Sequence, residues 1–265
     1  MRRGALPPTR RRLSALGSQL TTLLKTRLDQ LLVARGLCPS REKAQRAIMA
    51  GDVTVGDRVV DKAGTAVPED ALVVLRATER YVGRGGLKLE GALREFRIDP
   101  TGWTCLDIGA STGGFTDCLL QHGAAKVWAI DVGHDQLAWR IRSDPRVEVR
   151  EGLNARHLTT AHVPEQADLV VVDVAFISLT LILPPAVALL KPAGVIVPLI
   201  KPQFELRREQ VGKGGVVRDA ALHAEAVARI RDFVETETSL TWSGCIESPI
   251  RGGEGNTEFL ACLRS

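Results

Sequence analysis

Residues Asp107–Phe115 run Asp-Ile-Gly-Ala-Ser-Thr-Gly-Gly-Phe, and no other stretch limits the possible folds as strongly. Before it stands Trp103-Thr-Cys-Leu106, a short apolar run suited to a buried strand. After it, Thr116-Asp-Cys-Leu-Leu-Gln-His-Gly123 has helical spacing. A strand, a glycine turn and a helix therefore follow one another. Glycine lacks a Cβ and tolerates positive φ, so such a turn lets backbone approach a ligand closely. At the carboxyl end of a first strand it marks the ligand crevice of an open α/β sheet.

The glycine spacing narrows the choice of ligand. Gly109, Gly113 and Gly114 do not satisfy the Gly-x-Gly-x-x-Gly of dinucleotide sites. Asp107 would set a carboxylate where a cation fits better than a pyrophosphate. A second acid, Asp131, ends the next apolar run Val127-Trp-Ala-Ile130, where a carboxylate can accept from both ribose hydroxyls. The pattern favours S-adenosyl-L-methionine, which carries a sulfonium and an ammonium and no phosphate, over NAD. Ser111, Thr112 and Phe115 complete the expected cofactor loop. Asn154, after the third strand, is a candidate for the adenine edge and equally a plain helix cap.

With 265 residues and 45% hydrophobic content, the chain can build one sizeable core and a small second domain. No apolar run reaches the length of a membrane span; the longest candidate, Leu179–Leu190, is broken by Pro184 and Pro185. The five cysteines show neither CxxC spacing nor a pattern with histidine, so no metal site is expected. They read as reduced, mostly buried thiols of a cytoplasmic protein. The net charge of +4 is compatible with nucleic acid. Residues 1–24 hold Arg2, Arg3, Arg10, Arg11 and Arg12 and no acid. They fit a disordered basic arm, a transit-like leader for organelle import, or residues added by an upstream start.

Residues 25–76 form a segment of different character. Leu28, Leu31 and Leu32 give one helical stripe that Gly36 stops; Ser40 caps a second helix reaching Ala50; Val53–Val60 alternates around Gly56-Asp57 as a hairpin. Arg41, Lys43 and Arg46 lie on the second helix away from its apolar face, where basic side chains can contact phosphates or simply be solvated. Residues 77–82 read as a linker. From 83 to 265 the rhythm is βα, with a helix opened by Lys88 and running to about Phe96. Strands are expected near 103–109, 126–132, 146–150, 168–174 and 194–200. This pattern predicts a parallel sheet with helices on both faces. Two last strands, near 241–247 and 256–263, suggest an antiparallel edge hairpin.

Four further residues draw attention. Lys88 follows a glycine pair, and Glu258 lies in Gly255-Asn-Thr-Glu-Phe. Asp173 and Lys201 end the apolar runs Leu169–Val172 and Val195–Ile200, where α/β sheets place their sites. Residues 205–218 make a glycine-rich basic loop beside Lys201, expected to be a mobile lid whose Arg207, Arg208 and Lys213 can contact phosphates. Arg84 is a further candidate of this kind. Phe204 and Trp128 are expected in the core.

The order Arg27-Leu28-Asp29, Ser40-Arg41, Gly51-Asp-Val-Thr-Val-Gly56 resembles the S4 RNA-binding domain. Gly85-Gly-Leu-Lys-Leu89, Asp107–Phe115, Asp131-Val-Gly133, Asp173-Val-Ala-Phe-Ile-Ser178, Ile200-Lys-Pro-Gln-Phe-Glu205 and Gly255-Asn-Thr-Glu258 resemble the TlyA family. The resemblance covers residues 25–265. It implies a Rossmann-like class I methyltransferase domain of FtsJ type, preceded by a small α+β S4 domain. It also implies S-adenosyl-L-methionine as cofactor, and ribosomal RNA or ribosomal subunits as partner. The implied reaction is 2′-O-methylation of cytidine ribose, with a Lys-Asp-Lys-Glu tetrad at Lys88, Asp173, Lys201 and Glu258. Lys201 is then either a general base, which needs a lysine well below its ordinary pKa near 10.4, or a positioned cation. His134-Asp135 departs from the family's aromatic-glycine pair. Some members are described as hemolysins.

Other chemistries fit less well. Amino-group methylation wants an Asn/Asp-Pro-Pro-aromatic turn after the fourth strand, where this chain has Asp173-Val-Ala-Phe. Carbon-5 methylation of cytosine needs a thiol in the crevice, yet Cys105 and Cys118 fall within a strand and a helix. A pore-forming hemolysin lacks a visible inserting segment. A non-catalytic RNA-binding module would tolerate loss of the tetrad, which is present.

Overall fold

The apolar runs become strands of one sheet, and their alternation decides which helices cover which face. The computed structural model describes residues 25–75 and 80–265, and the chain divides at Thr78/Glu79 into two units. The expected basic arm of residues 1–24 lies outside the described residues.

The first unit contains β1 (Lys25–Arg27), α1 (Leu28–Ala34), α2 (Arg41–Met49), β2 (Val53–Val55), β3 (Arg58–Val59), β4 (Ala66–Pro68) and β5 (Val73–Leu75). Ser40 caps α2 by accepting from the Lys43 amide at 3.3 Å. The expected hairpin is β2–β3, but β2 also pairs with β5, and β1 pairs with β4. Leu28, Leu32, Ile48 and Val53 are fully buried between helices and strands.

Beneath α2 sits Asp29, a carboxylate with no exposed surface. It accepts two bonds from Arg27 at 3.0 and 3.1 Å, one from Arg41 Nε at 2.9 Å and one from Gln45 at 2.9 Å. The Arg27 guanidinium, helped by Gln45 and Arg41, holds this carboxyl well below the usual carboxylate range. A depressed folded-state pKa adds stability that is present above the unfolded pKa, near 3.9, and lost as pH falls through the folded value. Asp29→Asn should therefore be less stable than the parent at pH 7, with the gap narrowing toward pH 3. Thermal melts across that range measure it; a gap independent of pH would contradict the assignment.

The second unit contains α3 (Gly85–Glu95), β6 (Thr104–Ile108), α4 (Gly114–Gln121), β7 (Lys126–Ile130), α5 (Trp139–Arg142), β8 (Val147–Arg150), β9 (Ala167–Val172), α6 (Leu183–Ala188), β10 (Leu190–Ile200), α7 (Pro202–Glu205), α8 (Ala220–Glu237), β11 (Thr241–Glu247) and β12 (Phe259–Arg264). The sheet order is β11-β12-β10-β9-β6-β7-β8. Strands β6 to β10 pair in parallel, and β12 and β11 close the edge antiparallel, as expected. Along β9, Leu169 and Val171 face one core with α3 and α4, while Val170 and Val172 face the other with α6 and α8.

Three boundaries differ from expectation. Helix α3 starts at Gly85 rather than Lys88, because Gly86 packs where a Cβ would lie 2.2 Å from the Tyr81 ring. Tyr81 is itself buried in this core, so the expected linker of 77–82 is cut short. Strand β10 begins at Leu190, ahead of a register shift between Leu190 and Val195 that carries Ala193 at φ 62°.

Candidate active site

Parallel register brings the strand ends together. Ile108 aligns with Val172, Val172 aligns with Pro198, and the Asp173 amide donates to Ile108 O at 2.9 Å. The glycine turn leaves β6 directly beside the turn that leaves β9. Gly109 has φ 89°, and a Cβ there would lie 2.4 Å from the Asp173 carbonyl oxygen. Ser111, also left-handed at φ 48°, donates its amide to Asp131 Oδ2 at 2.7 Å. Asp131 Oδ1 accepts from the Gly133 amide at 2.7 Å, so this acid at the end of β7 is fixed from both sides. Gly113 caps α4 at φ 95°, and Gly114 lies so near α3 that a Cβ would meet the Gly86 amide at 3.0 Å.

A cleft of about 370 Å³ opens over this turn and is walled by all four tetrad candidates. They stand as two ion pairs. Lys88 Nζ donates to Glu258 Oε2 at 2.6 Å, both groups buried. Lys201 Nζ meets Asp173 Oδ1 at 2.6 Å, with the lysine side chain only 12% exposed. Gly252 gives Glu258 its room, since a Cβ there would fall 2.0 Å from the carboxylate. Arg84 is exposed on the rim of the same cleft. A second cavity of about 450 Å³ shares Gly109, Ser111, Asp173 and Ala175 with the first. It adds Asp131, Asn154 and an apolar wall of Leu153, Ile177 and Ile182. Asn154 also caps a short helical turn by accepting from the Arg156 amide at 3.1 Å.

The cofactor-loop candidates separate into wall and support. Gly109, Ser111, Thr112, Gly114 and Phe115 line the crevice; Gly113 instead packs against Leu137 and Ile141. Asp107 does not itself line either cavity. It is fully buried, accepts from Thr116 Oγ1 at 2.6 Å, and leaves Oδ1 without a protein partner. Burial pushes its carboxyl up to about 7. His134-Asp135 holds a left-handed residue, Asp135 at φ 57°, where the family has glycine.

The basic candidates are exposed, yet not all are free. Arg41 is tied to Asp29 and Arg46 to Glu42, whereas Lys43, Arg207, Arg208 and Lys213 form no ion pair among the described residues. The loop 205–218 is tied down near its carboxyl end. Val217 is buried, and its amide donates to Asn256 Oδ1 at 3.0 Å. Trp128 is in the core as expected, but Phe204 is not: its ring meets Phe176 at 5.1 Å, and Phe176 is 91% exposed at φ 62°. Burial raises the Cys118 thiol to about 12 and the Cys245 thiol to about 11, and lifts Cys105 as well, against a thiolate nucleophile. No cluster with metal-ligating composition occurs among the described residues. None of their helices is long and apolar enough to cross a membrane.

A glycine turn after the first parallel strand, an acid after the second and this strand order define an α/β protein of methyltransferase class. The chain belongs to the FtsJ-like methyltransferase family, whose model matches residues 81–265, and an S4 domain matches residues 26–73. It is 46% identical over 245 residues to the 16S/23S rRNA (cytidine-2′-O)-methyltransferase TlyA of Mycobacterium tuberculosis, covering 91% of this chain and 90% of that one. Hemolysin A of Brachyspira hyodysenteriae is 44% identical, covering 89% and 98%. The solved structure of a hemolysin candidate from Streptococcus thermophilus superposes with TM-score 0.69 at 41% identity, covering 92% and 89%.

The close approach at Gly109 yields a direct expectation. Gly109→Ala should lower cofactor affinity at least tenfold, because its Cβ must displace the Asp173 carbonyl and with it the shared wall of both cavities. Calorimetric titration with S-adenosyl-L-homocysteine measures this; unchanged affinity would remove the turn from the site.

Proposed function

We propose that the protein transfers a methyl group from S-adenosyl-L-methionine to the 2′-hydroxyl of cytidine in ribosomal RNA, in the cytoplasm. The observation that carries this reading is the pair of ion pairs, Lys88–Glu258 and Lys201–Asp173, walling one cleft above the glycine turn.

The crevice fits the cofactor's parts. Asp131 has lone pairs left for ribose hydroxyls, Asn154 stands at the adenine end, and Leu153, Ile177 and Ile182 supply an apolar wall for the ring. The cofactor supplies an electrophilic methyl on a positive sulfur. The chain's part is to bring a weak nucleophile in line with it. Lys201, fixed by Asp173, orients the hydroxyl and meets the negative charge that develops on oxygen as its proton leaves. Lys88, fixed by Glu258, presents a second ammonium to the same cleft. When bound, the cofactor would supply its methyl to the hydroxyl oxygen with the neutral thioether as leaving group, and the hydroxyl proton would pass to solvent water. Holding the two reactants in line is worth up to roughly 7–11 kcal/mol in favourable cases. Arg84, Arg207, Arg208 and Lys213 on the catalytic unit, with Arg41, Lys43 and Arg46 on the S4 unit, then supply phosphate contacts.

Lys201→Ala should lower methyl transfer to ribosomal subunits by roughly 10²–10⁴-fold, while cofactor affinity stays within a few-fold. Labelled-methyl transfer, followed by mapping of the modified nucleoside, tests both the residue and the product. Incorporation into a base would refute ribose chemistry. Replacing Arg41, Lys43 and Arg46 together by alanine should weaken RNA binding and flatten its dependence on salt. A slope loss of about 0.7–0.9 is expected per phosphate contact removed. An unchanged slope would remove α2 from the RNA interface.

A further inference from the structure

Glu205 is a carboxylate that the mechanism above does not use, and it is 2% exposed. No cation pairs with its side chain among the described residues. Its Oε2 accepts from Ser178 Oγ at 2.6 Å and its Oε1 from the Leu179 amide at 2.9 Å. Its own carbonyl accepts from Arg229 Nη1 at 2.7 Å, which fastens the end of α7 to α8. Burial pushes the carboxyl above its ordinary range, against the opposing pull of its two hydrogen bonds and of the nearby Arg229 guanidinium, and both side-chain donors come from one segment.

That segment is the turn that carries Asp173. Residues 173–178 leave β9, and residues 201–205 leave β10. Asp173 joins Lys201 at one end and Ser178 joins Glu205 at the other. The two stretches form a ring closed by two side-chain contacts. Inside the ring the chain is strained, with Phe176 left-handed at φ 62° and its ring lying 5.1 Å from that of Phe204. A left-handed non-glycine residue persists only where its surroundings impose it. The Glu205 clamp fixes Ser178 and Leu179, shortly after Phe176.

We infer that Glu205 is a positioning residue that sets Asp173 and Lys201 against each other by clamping the 173–178 turn through Ser178 and Leu179. The inference rests on the ribose-methylation reading for its kinetic readout, and it also has a readout independent of activity.

The experiment compares Glu205→Gln, Glu205→Ala and Ser178→Ala in the full chain. Glutamine keeps an acceptor for the Leu179 amide and an amide able to donate to Ser178, so it should retain kcat within threefold. Glu205→Ala should lower kcat by about 10–100-fold, the scale of an ångström-sized misplacement, with KM for RNA and affinity for S-adenosyl-L-homocysteine within threefold. Hydrogen exchange of residues 174–181 should rise in Glu205→Ala without the cofactor and stay near the parent's in Glu205→Gln. If Glu205→Ala does not fold, Ser178→Ala takes its place, with an expected tenfold loss of kcat. Parental kcat in folded Glu205→Ala, or in Ser178→Ala where that variant stands in, overturns the inference. So does a loss of cofactor affinity that matches the loss of kcat, which would mean general collapse of the cleft. A parent protein that transfers no methyl to ribose overturns the functional reading instead, and the exchange data still decide whether the clamp holds the turn.

Discussion

The site depends on one backbone contact, the bond from the Asp173 amide to Ile108 O, together with the missing Cβ at Gly109. Parallel pairing of β6 with β9 makes the first, and only glycine permits the second. Because these strand ends lie in register, the cofactor turn and the Asp173 turn share a wall. Pairing of β9 with β10 then delivers Lys201 to the same edge. A register slip of one residue in β9 would turn its apolar side chains to the wrong faces and withdraw Asp173 at once. The two hydrophobic cores that hold the sheet thereby also hold the chemistry.

Electrostatics divides the work. The tetrad's ammonium groups are matched by carboxylates at 2.6 Å, so the cleft floor gains fixed, directed groups without a large net charge. Truncating one member of such a buried pair leaves the other uncompensated, which costs more than the pair contributes when whole. Each substitution in the tetrad must therefore be read against the partner it strands. Asp107 follows another rule: no cation pairs with it among the described residues, and burial raises its proton affinity.

Much of this architecture was legible because its signals are local. Apolar runs ending in Asp131, Asp173 or Lys201 mark strand ends on a single line of sequence, and the edge hairpin follows from two strands without a helix between them. What escaped the sequence depends on distant contacts. Gly85 and Gly86 begin α3 early because Tyr81 and Phe115 pack against them. Strands β1 and β4 have three residues each and no pattern of their own. That Asp107 is wholly buried, with one oxygen bonded to Thr116 on the following helix and the other without a protein partner, is likewise invisible in the sequence. Phe204 looked like core until Phe176 emerged as its neighbour. Glu205 and Asn256 are ordinary polar letters in sequence and become clamps only when segments well separated along the chain meet.

The same separation bears on how a polyanion is handled. Arg207, Arg208 and Lys213 are exposed and carry no partner among the described residues, whereas Lys88 and Lys201 are mostly withdrawn from solvent and already paired. On the RNA reading proposed above, phosphates would meet the first group at little desolvation cost, and salt would screen that attraction readily. The second group is screened far less, because its partners are fixed and water is largely excluded. Affinity for RNA should thus fall steeply with salt while the chemical step of bound RNA changes little. The basic loop is tied at its two ends through Glu205 and Asn256, each on a segment that carries a tetrad residue. On the proposed reading, charge capture and catalysis would be separate in electrostatics yet joined through these two residues.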